Sequence, residues 1–594
     1  MPPVPWSLDR GRRDGEMGYL PGLDGIRALA VIGVLLYHAD LTWISGGFLG
    51  VDVFFVLSGF LITSLILEEF DRSGRVDFAK FYLGRARRLL PALLLMLAVV
   101  AVVVAFFYRD AAAQVRADGL AALFYVNNWW YIVNDASYFE FIGRPPLLKH
   151  LWSLAVEEQF YLVWPAIAFL VVKRSGRRGV RVLAIALAVL STVWMVVLSQ
   201  RNGFPEYADP SRAYFGTDSH AMGLLIGAAL ATFWRPGRLR ADLAPGARAI
   251  ITGTGIAALL TVVWFFLFVG EFTPWMYQSG GFLLLALVVA LLIAMATHPA
   301  SPLGGWMGTQ PWRYIGQRSY GLYLWHWPIF MLTRPTLDLP LDGIPLLVLR
   351  LAITMVVAEL SFRYVEMPIR RGAIDRWVKA WRASSGAERT QRTRTAGLVG
   401  GVALAGVIVT GVALWTAPSP SAAEGLAPDV AAAIGVDNGG PTEVGLDDPE
   451  PSASASAPAA STSPGATPSA SAVTPRNPNG NLSAIGDSVM LGARDTLKRV
   501  IPGTKVDAAV SRFPGAFIGR IKKYRAADKL ADVVVLHPGT NGVIPEDMMR
   551  QMLDLLDDRT RVVVVNDAMP RSWREPNNKV IAKVVPDYAN AVLA

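Results

Sequence analysis

The sequence predicts a multi-domain chain: a polytopic α-helical membrane domain, then a disordered linker, then an α/β domain with a parallel sheet. Three observations predict this architecture. Hydrophobic residues make up 53% of the 594 residues and charged residues only 17%, which is too apolar for an ordinary soluble protein. Apolar runs near the roughly 20 residues that span a bilayer recur along most of the chain. A Pro/Ser/Ala-rich stretch then precedes short β-branched runs near the end.

The apolar runs predict ten membrane helices followed by one extra span. We expect helices because these runs lack the alternation of a barrel strand, and because lipid offers the backbone no hydrogen-bonding partners. The runs near 151–172 and 312–333 carry polar groups and are the least lipid-like. The predicted spans are 22–40, 47–68, 89–108, 151–172, 180–199, 213–234, 247–269, 278–297, 312–333, 342–364 and 397–416.

Basic residues between the spans predict the orientation of the chain. If the spans alternate, these residues all fall on one side, which the positive-inside rule makes the cytoplasm. The N-terminus is therefore expected in the cytoplasm, and everything after Pro418 outside it. The basic groups are Arg10, Arg12 and Arg13, then Arg85, Arg87 and Arg88, then Lys173 to Arg181, then Arg235 to Arg240, and finally Arg370 to Arg382.

Composition divides the chain into four parts. Residues 18–370 form the membrane domain, and residues 371–416 a basic cytoplasmic segment with the extra span. Residues 417–480 contain "PSASASAPAASTSPGATPSASA", which is too polar and small to fold and predicts a disordered tether. Residues 481–594 return to a globular pattern, with β-branched runs ending in Gly, Asp or Asn between helix-like segments such as 546–557 and 576–591. That alternation predicts a parallel sheet with its chemistry at the carboxyl ends of the strands.

Composition also excludes some kinds of site. The chain has no cysteine, so it has no disulfide, no Cys-ligated zinc and no Cys nucleophile. The net charge of +9 comes from topology signals rather than from a basic groove with stacking aromatics, so we expect no nucleic-acid partner. No spacing of ligand residues indicates a metal, and none is expected.

Ionisable residues inside the first spans indicate function. Arg27 and His38 share one apolar helix and return to nearly the same face, about 16 Å apart along its axis. Such groups are costly in lipid and usually line a cavity or a pathway. A snorkelling arginine with an interfacial histidine is the alternative. In "GVDVFFVLSGF", Asp52 stands at the start of the second span, where Ser58 and Gly59 read as small packing residues.

A third cluster lies in "KHLWSLAVEEQFYLVWP". His150, Glu157 and Tyr161 fall at positions i, i+7 and i+11 on one helix face, and Glu158 stands beside Glu157. An interfacial cap with aromatic belt residues is the alternative. The segment "FYLGRARRLLP" adds a dense cation cluster, which suits phosphate binding but is also what a cytoplasmic loop requires.

Taken together, these motifs resemble the acyltransferase family 3 membrane proteins over roughly residues 18–370. The resemblance rests on Arg27 with His38, "GVDVFFVLSGF", "RARRLLP", "WSLAVEEQFYLVWP", "SYGLYLWHWPIF" and "FRYVEMPIR", in the family order. It implies transfer of an acyl group, usually acetyl, from cytoplasmic acetyl-CoA or another acyl-CoA to a carbohydrate hydroxyl. His38 then corresponds to the catalytic base, Arg27 to its motif partner and Glu157 to the motif acid.

The same resemblance predicts the donor site. Arg85 and Arg88 match an arginine pair that holds CoA phosphates, and we expect Arg27, Asp52, Glu158 and Tyr161 to contribute to substrate or donor binding. The chemistry is consistent, since a base must take the proton of the acceptor hydroxyl and histidine is the usual base near neutral pH. Without cysteine, a covalent relay would have to use an oxygen or a His38 nitrogen.

The C-terminal part resembles the SGNH hydrolase superfamily over about residues 481–594. "AIGDSVM" and "LHPGTNG" place Ser488 and Asn541 at strand ends, and Gly515 in "RFPGA" lies between them. Ser488 corresponds to the nucleophile, and Gly515 and Asn541 to oxyanion-hole donors. The superfamily's late Asp and His motif does not follow Asn541, and His537 reads as a structural residue. Either the chain is truncated or the domain lacks this pair and is catalytically dead. Because the last residues, "DYANAVLA", read as an unfinished helix, we expect truncation, with Ser488 inert.

The resulting hypothesis is a membrane O-acyltransferase that resembles the fused O-acetyltransferases of bacterial cell-surface polysaccharide and peptidoglycan. Its expected partners are the bilayer, acyl-CoA and an extracytoplasmic carbohydrate. The alternative is a transporter or flippase for a lipid-linked saccharide, in which Arg27, His38, Asp52 and Glu157 form an ion pathway. An anchored esterase would need only one span, and nothing in the sequence indicates a sensor.

Overall fold

The structure of the protein is a computed structural model, which describes residues 18–39, 41–134, 136–138, 144–205, 208–335, 338–417, 443–446, 482–509, 512–568 and 573–594. The described residues fall into two compact units, one mainly within 18–417 and the other mainly within 443–594. The first basic group, Arg10 to Arg13, lies outside the described residues, as does most of the predicted linker.

The first unit is entirely helical apart from one isolated bridge, as far as the described ranges show. A π-helical turn, Phe362–Glu366, joins its fifteenth and sixteenth α-helices. The α-helices are α1 Pro21–Tyr37, α2 Gly50–Ser73, α3 Phe78–Phe107, α4 Ala112–Leu123, α5 Asn127–Val133, α6 Leu151–Asn202, α7 Ser211–Phe215, α8 Thr217–His220, α9 Met222–Ala231, α10 Pro245–Phe268, α11 Pro274–Gln278, α12 Gly281–Thr297, α13 Pro302–Met307, α14 Trp312–Met331, α15 Gly343–Ser361, α16 Met367–Arg370, α17 Ala373–Ala383 and α18 Gly386–Trp415.

Six helical segments in the described part of the chain are long and apolar enough to cross a membrane. They are Gly47–Ser73, Phe78–Phe107, Leu151–Asn202, Pro245–Phe268, Gly343–Arg370 and Gly386–Trp415, and α12 is a shorter apolar helix. The prediction of a polytopic helical membrane domain is therefore confirmed. The count of eleven spans stays a prediction, because several of the expected spans are shorter or carry more polar groups than these six.

Three predicted spans differ from the observed helices. The run 213–234 is not one helix but falls in three, α7, α8 and α9. Gly216, in an extended backbone conformation, separates α7 from α8, and Ala221 separates α8 from α9. The runs 151–172 and 180–199 are both in α6, and they meet at Gly176. Gly176 has a φ of 63°, a conformation that glycine adopts without the steric cost other residues incur.

Helices α2 and α9 pack backbone against backbone. A Cβ atom at Gly59 would overlap the carbonyl group of Leu224, and one at Gly227 would overlap the carbonyl group of Val56. Small residues that permit such close approach are typical of helix pairs in membranes. The packing role predicted for Gly59 is therefore confirmed, and this contact fixes α2, which carries part of the candidate site.

The extra span predicted at 397–416 corresponds to α18, which contacts α3 and α4. Arg116 joins α4 to α18, since its Nη1 donates to the Leu414 carbonyl oxygen at 3.1 Å. Its guanidinium also lies 5.2 Å from the ring centre of Trp415. Most of the apolar side chains of α18 are exposed, which is the pattern of a helix that faces lipid.

The second unit is a six-stranded sheet with helices between its strands. Its elements are β1 Glu443–Val444, β2 Leu482–Gly486, α19 Ser488–Val500, β3 Thr504–Ala509, α20 Pro514–Ala526, β4 Val533–His537, α21 Glu546–Asp554, β5 Arg561–Val564, α22 Arg574–Val584 and β6 Ala591–Leu593. The strand order is β1-β3-β2-β4-β5-β6. Strands β2 to β6 pair in parallel and β1 pairs antiparallel with β3, so the predicted parallel sheet is confirmed.

Both faces of this sheet are covered by apolar side chains. Ile485, Val534 and Leu536 pack with residues of α20, α21 and α22 in the larger core. Ala484 and Val506 pack against α19 in a smaller core. Covering both faces is typical of parallel sheets, whose crossover helices lie on either side.

The observed sheet differs from the prediction at both of its edges. The residues read as an unfinished helix form a turn and strand β6, which extends the sheet beside β5. The helical prediction for 576–591 is therefore wrong after Val584, because Pro586 and the β-pairing of Val592 override the local helix pattern. At the other edge, Glu443 and Val444 lie within the predicted linker but form β1, and Leu446 is buried beside it.

Candidate active site

A cavity in the helical unit brings together three arginines that the sequence singled out. Arg27 reaches it from α1, and Arg85 and Arg88 reach it from α3. Helices α2, α6 and α14 supply the remaining walls, which include Glu157 and Tyr161. Three guanidinium groups around one cavity are suited to bind an anion, because each offers several N–H donors.

The arginines have distinct partners. Arg27 Nη1 donates to Asp24 Oδ1 at 2.7 Å, one turn away on α1, so its ion-pair partner is Asp24 rather than His38. The Arg85 guanidinium lies 3.9 Å from the ring centre of Tyr161, where the cation faces the π-electrons of the ring. Tyr161 therefore holds Arg85 in the cavity without neutralising its charge.

The motif acid Glu157 is held by Ser58. The Ser58 hydroxyl donates to Glu157 Oε1 at 2.7 Å, joining α2 to α6. Ser58 thus has a hydrogen-bonding role, and the prediction that it only permits close packing is wrong. Glu158 is half-buried and does not line the cavity, although its neighbour does.

His38 lies at the C-terminal end of α1, beyond the arginine cavity, in a series of hydrogen bonds. His326 Nδ1 is 2.6 Å from the Tyr323 carbonyl oxygen, to which it donates, so Nε2 of a neutral His326 ring carries a lone pair. His38 Nδ1, at 2.9 Å from that nitrogen, is then the donor between the two rings. His38 Nε2 is left as a basic nitrogen, and the Tyr138 hydroxyl lies 3.2 Å from it.

These hydrogen bonds fix the protons of both rings. Only one tautomer of each histidine satisfies all three contacts when both rings are neutral. The two rings are stacked, with centroids 5.1 Å apart. The Trp327 ring packs edge to face against His38, with centroids 4.6 Å apart. His38 is therefore oriented with its basic Nε2 directed at a hydroxyl group, which is the arrangement a general base requires.

His326 and Tyr138 were not predicted as site residues, although the motif around His326 belongs to the family resemblance. A usable signal existed for His326, since an ionisable residue within the predicted span 312–333 indicates function for the same reason as His38. Tyr138 carried no such signal. It follows a polar loop, and only the fold brings it to His38.

The Asp52 side chain does not line the cavity and contacts His220 instead. Its Oδ1 is 2.8 Å from His220 Nε2, and His220 Nδ1 is 2.7 Å from the Tyr214 carbonyl oxygen. Asp52 is 3% exposed and His220 is fully buried among aromatic rings. The predicted role of Asp52 in substrate binding therefore has no support from the position of its side chain.

In the second unit, the three loops that carry the predicted residues meet at one edge of the sheet. Ser488 is the first residue of α19, directly after β2, and Asp487 caps this helix by accepting from Val489 N at 3.0 Å. Asp487 Oδ2 also accepts from Thr540 N at 3.3 Å, which joins the loop of Asn541 to that of Ser488.

A second contact joins the remaining loop. Asn541 Nδ2 donates to the Arg512 carbonyl oxygen at 3.3 Å, just before α20, in whose first turn Gly515 lies. The predicted placement of Ser488, Gly515 and Asn541 at one strand edge is thus observed. Their catalytic roles stay predictions.

His537 is the only histidine of this unit, and it contacts Asp487 rather than a free surface. Its Nδ1 lies 3.1 Å from Asp487 Oδ1, and the side chain is 5% exposed. Burial by itself lowers the pKa of His537, but the hydrogen bond with Asp487 and the charge of that carboxylate outweigh it, so the net pKa is raised. Within the described ranges, no group of three or more His, Asp or Glu side chains in either unit is placed to hold a metal ion.

Comparison with known proteins agrees with this geometry. The family described as "Acyltransferase domain" matches residues 20–361. The chain is 36% identical to peptidoglycan O-acetyltransferase OatA of Listeria monocytogenes, covering 95% of this chain and 90% of that protein. It is 33% identical to putative peptidoglycan O-acetyltransferase YrhL of Bacillus subtilis, covering 97% and 92% of the two chains.

A third relative is O-acetyltransferase OatA of Staphylococcus aureus, at 32% identity over 97% of this chain and 90% of that protein. No solved structure gives a significant match. The family match covers more than half of the chain and includes Arg27, His38, Arg85, Arg88 and Glu157. This chain belongs to the acyltransferase family and is a membrane acyltransferase.

Proposed function

We propose that this protein transfers an acetyl group from cytoplasmic acetyl-CoA across the membrane to hydroxyl groups of cell-wall peptidoglycan. The observation that carries the proposal is that one helix, α1, carries Arg27 into the cavity it shares with Arg85 and Arg88 and ends at an oriented base, His38. The names of the relatives support acetyl as the group and peptidoglycan as the acceptor.

The cavity is proposed as the donor site. CoA carries several phosphates, and arginine is well suited to grip phosphate oxygens through paired N–H donors. Arg85 keeps its charge while it stacks on Tyr161, so it is available to an anionic ligand. Glu157, held by Ser58 in the same cavity, supplies a negative charge that offsets the repulsion between the arginines when no donor is bound.

His38 is proposed as the base. Its Nε2 takes the proton of the acceptor hydroxyl, whose oxygen then attacks the thioester carbonyl carbon. The Tyr138 hydroxyl occupies the position at Nε2 that the acceptor hydroxyl must take. When the tetrahedral intermediate collapses, the CoA thiolate leaves and receives the proton that His38 holds, so the reaction returns the enzyme to its starting state.

The second unit is proposed to lie outside the cytoplasmic membrane as an SGNH-like domain that passes the acetyl group to the glycan. The support is the placement of Ser488 at a helix N-terminus, with Gly515 and Asn541 on adjoining loops. Serine needs an adjacent base to act as a nucleophile, and we assign no base to Ser488 among the described residues. The residues between α18 and β1 would tether this domain to the membrane unit while it reaches its acceptor.

The test is release of CoA thiol from acetyl-CoA by the purified full chain in lipid vesicles, supplied with a peptidoglycan fragment. His38→Ala should lower the rate about 10²- to 10⁴-fold, the usual contribution of a general base. His298→Ala is the matched control, because His298 lies in the same unit without contacting His38 or His326. We expect the control to keep its activity.

Other outcomes separate the rival functions. Equal CoA release from wild type and His38→Ala would reject the role of His38. Movement of a lipid-linked saccharide across the vesicle membrane without CoA release would instead support a transporter. Acetyl transfer to an acceptor other than peptidoglycan would keep the membrane chemistry and reject only the proposed acceptor.

A further inference from the structure

A pair of buried hydroxyl groups lies at the wall of the arginine cavity. Ser153 on α6 and Tyr323 on α14 both line it, with Ser153 Oγ and Tyr323 Oη 2.6 Å apart. Ser153 is 4% exposed and Tyr323 is 6% exposed. The Tyr323 hydroxyl is also 2.8 Å from the His150 carbonyl oxygen, to which it donates.

The fold sets this pair beside the base. Tyr323 and His326 lie three residues apart on α14, which is a rise of about 4.5 Å along the helix. Their ring centroids are 5.4 Å apart, and His326 holds His38 through the 2.9 Å contact between their ring nitrogens. Tyr323 therefore connects the cavity, which it lines, to the turn of α14 that holds the proposed base.

We propose that the Tyr323 hydroxyl donates a hydrogen bond to the carbonyl oxygen of the bound thioester, and that Ser153 positions it. This inference rests on the proposed function. When the acceptor oxygen attacks the carbonyl carbon, the C=O electrons move to the oxygen, and a donor aimed at that oxygen stabilises the charge. Collapse restores the C=O bond, breaks the C–S bond and releases the CoA thiolate, which takes the proton held by His38.

Ser153 allows this donor to be redirected without leaving a buried group unsatisfied. Ser153 Oγ lies 3.3 Å from the same His150 carbonyl oxygen. If Ser153 donates there, Tyr323 can turn its proton to a ligand, and the hydrogen bond between the two hydroxyl groups is given up. The carbonyl oxygen of His150 is then satisfied in both states, so the exchange avoids the cost of an unpaired buried acceptor.

Two other hydroxyl groups of the cavity each donate to a fixed partner. Tyr320, one turn before Tyr323 on α14, donates to the Leu89 carbonyl oxygen at 2.9 Å. Ser58 donates to Glu157. Of these hydroxyls, Tyr323 is the one that combines a position in the cavity with contact to the helix turn that carries His326.

The experiment compares Tyr323→Phe with Tyr314→Phe in the full chain, using the CoA-release assay in vesicles. Loss of one oxyanion donor lowers the rate of acyl-transfer enzymes about 10²- to 10³-fold, so we expect that fall in kcat for Tyr323→Phe. KM for acetyl-CoA should stay within about twofold, because the arginines are intact. Tyr314→Phe removes a hydroxyl from the same helix but outside the cavity, where it donates to Glu359 Oε2 at 3.0 Å, and should keep kcat within a few-fold.

A second pair of variants keeps the proposal testable if Tyr323→Phe fails to fold. Ser153→Ala should lower kcat about tenfold at unchanged KM, and Ser153→Thr, which keeps the hydroxyl, should restore most of it. Binding of CoA itself, measured for every variant, reports whether the cavity is intact.

Three results would overturn the proposal. The first is a wild-type kcat in Tyr323→Phe, and the second is a change confined to KM. The third is the same kcat in Ser153→Ala and Ser153→Thr. A wild-type protein whose CoA release does not depend on His38 would instead reject the proposed function itself, and this outcome is separable because it needs no change at Tyr323 or Ser153.

Discussion

Replacing His326 by leucine tests whether the two-histidine arrangement activates His38. His326 is fully buried, and its Nε2 accepts from His38 Nδ1 at 2.9 Å. The substitution removes that acceptor and supplies no other polar atom. His38 then loses the contact that holds its proton on Nδ1 and its lone pair on Nε2.

The size of the effect follows from the burial. His38 is 8% exposed, so an N–H group left without its acceptor costs about 1–3 kcal/mol. If that cost shifts His38 toward the tautomer with its proton on Nε2, the fraction with a basic Nε2 falls about 5- to 150-fold. We therefore expect kcat for CoA release to fall by that factor, with KM for acetyl-CoA nearly unchanged.

The assay compares His326→Leu with His326→Gln in the full chain. The glutamine amide oxygen reaches about as far as the lost ring nitrogen and accepts a hydrogen bond, so this variant should recover most of the activity. Unchanged thermal unfolding would show that both variants are folded. A wild-type kcat in the leucine variant, or an equal loss of activity in both variants, would contradict the role assigned to His326.

Three further predictions concern other parts of the molecule. Arg85→Ala and Arg88→Ala should each raise KM for acetyl-CoA about 10- to 150-fold, since a hydrogen bond to a charged group contributes about 1.5–3 kcal/mol. Asn577→Ala should lower the unfolding free energy of the second unit by about 2–4 kcal/mol, measured by proteolysis of the full chain in urea, because this buried side chain accepts from one backbone N–H and donates to two carbonyl oxygens. The pKa of His537 is raised beside Asp487, so the protonated histidine stabilises this unit below the unfolded pKa of about 6.5. This contribution is lost as pH rises through the folded pKa. The stability difference between wild type and His537→Gln should therefore shrink from pH 6 to pH 8.

Each of these predictions has a control or a contrary result. Arg87→Ala is matched to the arginine variants, because Arg87 lies on the same helix but pairs with Asp375 at 2.7 Å outside the cavity. An equal rise in KM for Arg87→Ala would mean that general positive charge binds the donor. Lys583→Ala, at a 65% exposed side chain, should leave the stability of the second unit unchanged. A difference between wild type and His537→Gln that grows with pH would contradict the assigned direction of the pKa shift.

Some features of the site followed directly from local sequence. Arg27, Arg85, Arg88 and Glu157 are polar groups in or beside apolar runs, and the fold places all four around one cavity. A charge in lipid is so costly that its presence in an apolar run by itself indicates a functional site. The strand-end positions of Ser488 and Asn541 followed in the same way from β-branched runs that stop at turn residues.

Other features depended on contacts between distant segments. The Ser58–Glu157 bond joins residues 99 positions apart, and the His38–His326 contact joins residues 288 positions apart. A serine beside a glycine in an apolar helix gives no local indication of whether it packs or donates. The last strand, β6, was read as a helix because its pairing with β5, and not its own propensity, determines its conformation.

Local sequence was sufficient to predict a helical membrane protein with a separate parallel-sheet unit, and to single out four charged residues that the fold brings to one cavity. It was sufficient because hydropathy, strand-end turns and buried charges are local properties with large energetic consequences. The tertiary structure was needed to establish which of those residues meet, which nitrogen of His38 is basic, and that Asp52 pairs with His220 rather than lining the cavity. Hydrogen bonds act over about 3 Å, so the partner of a buried polar atom is set by the packing of whole helices.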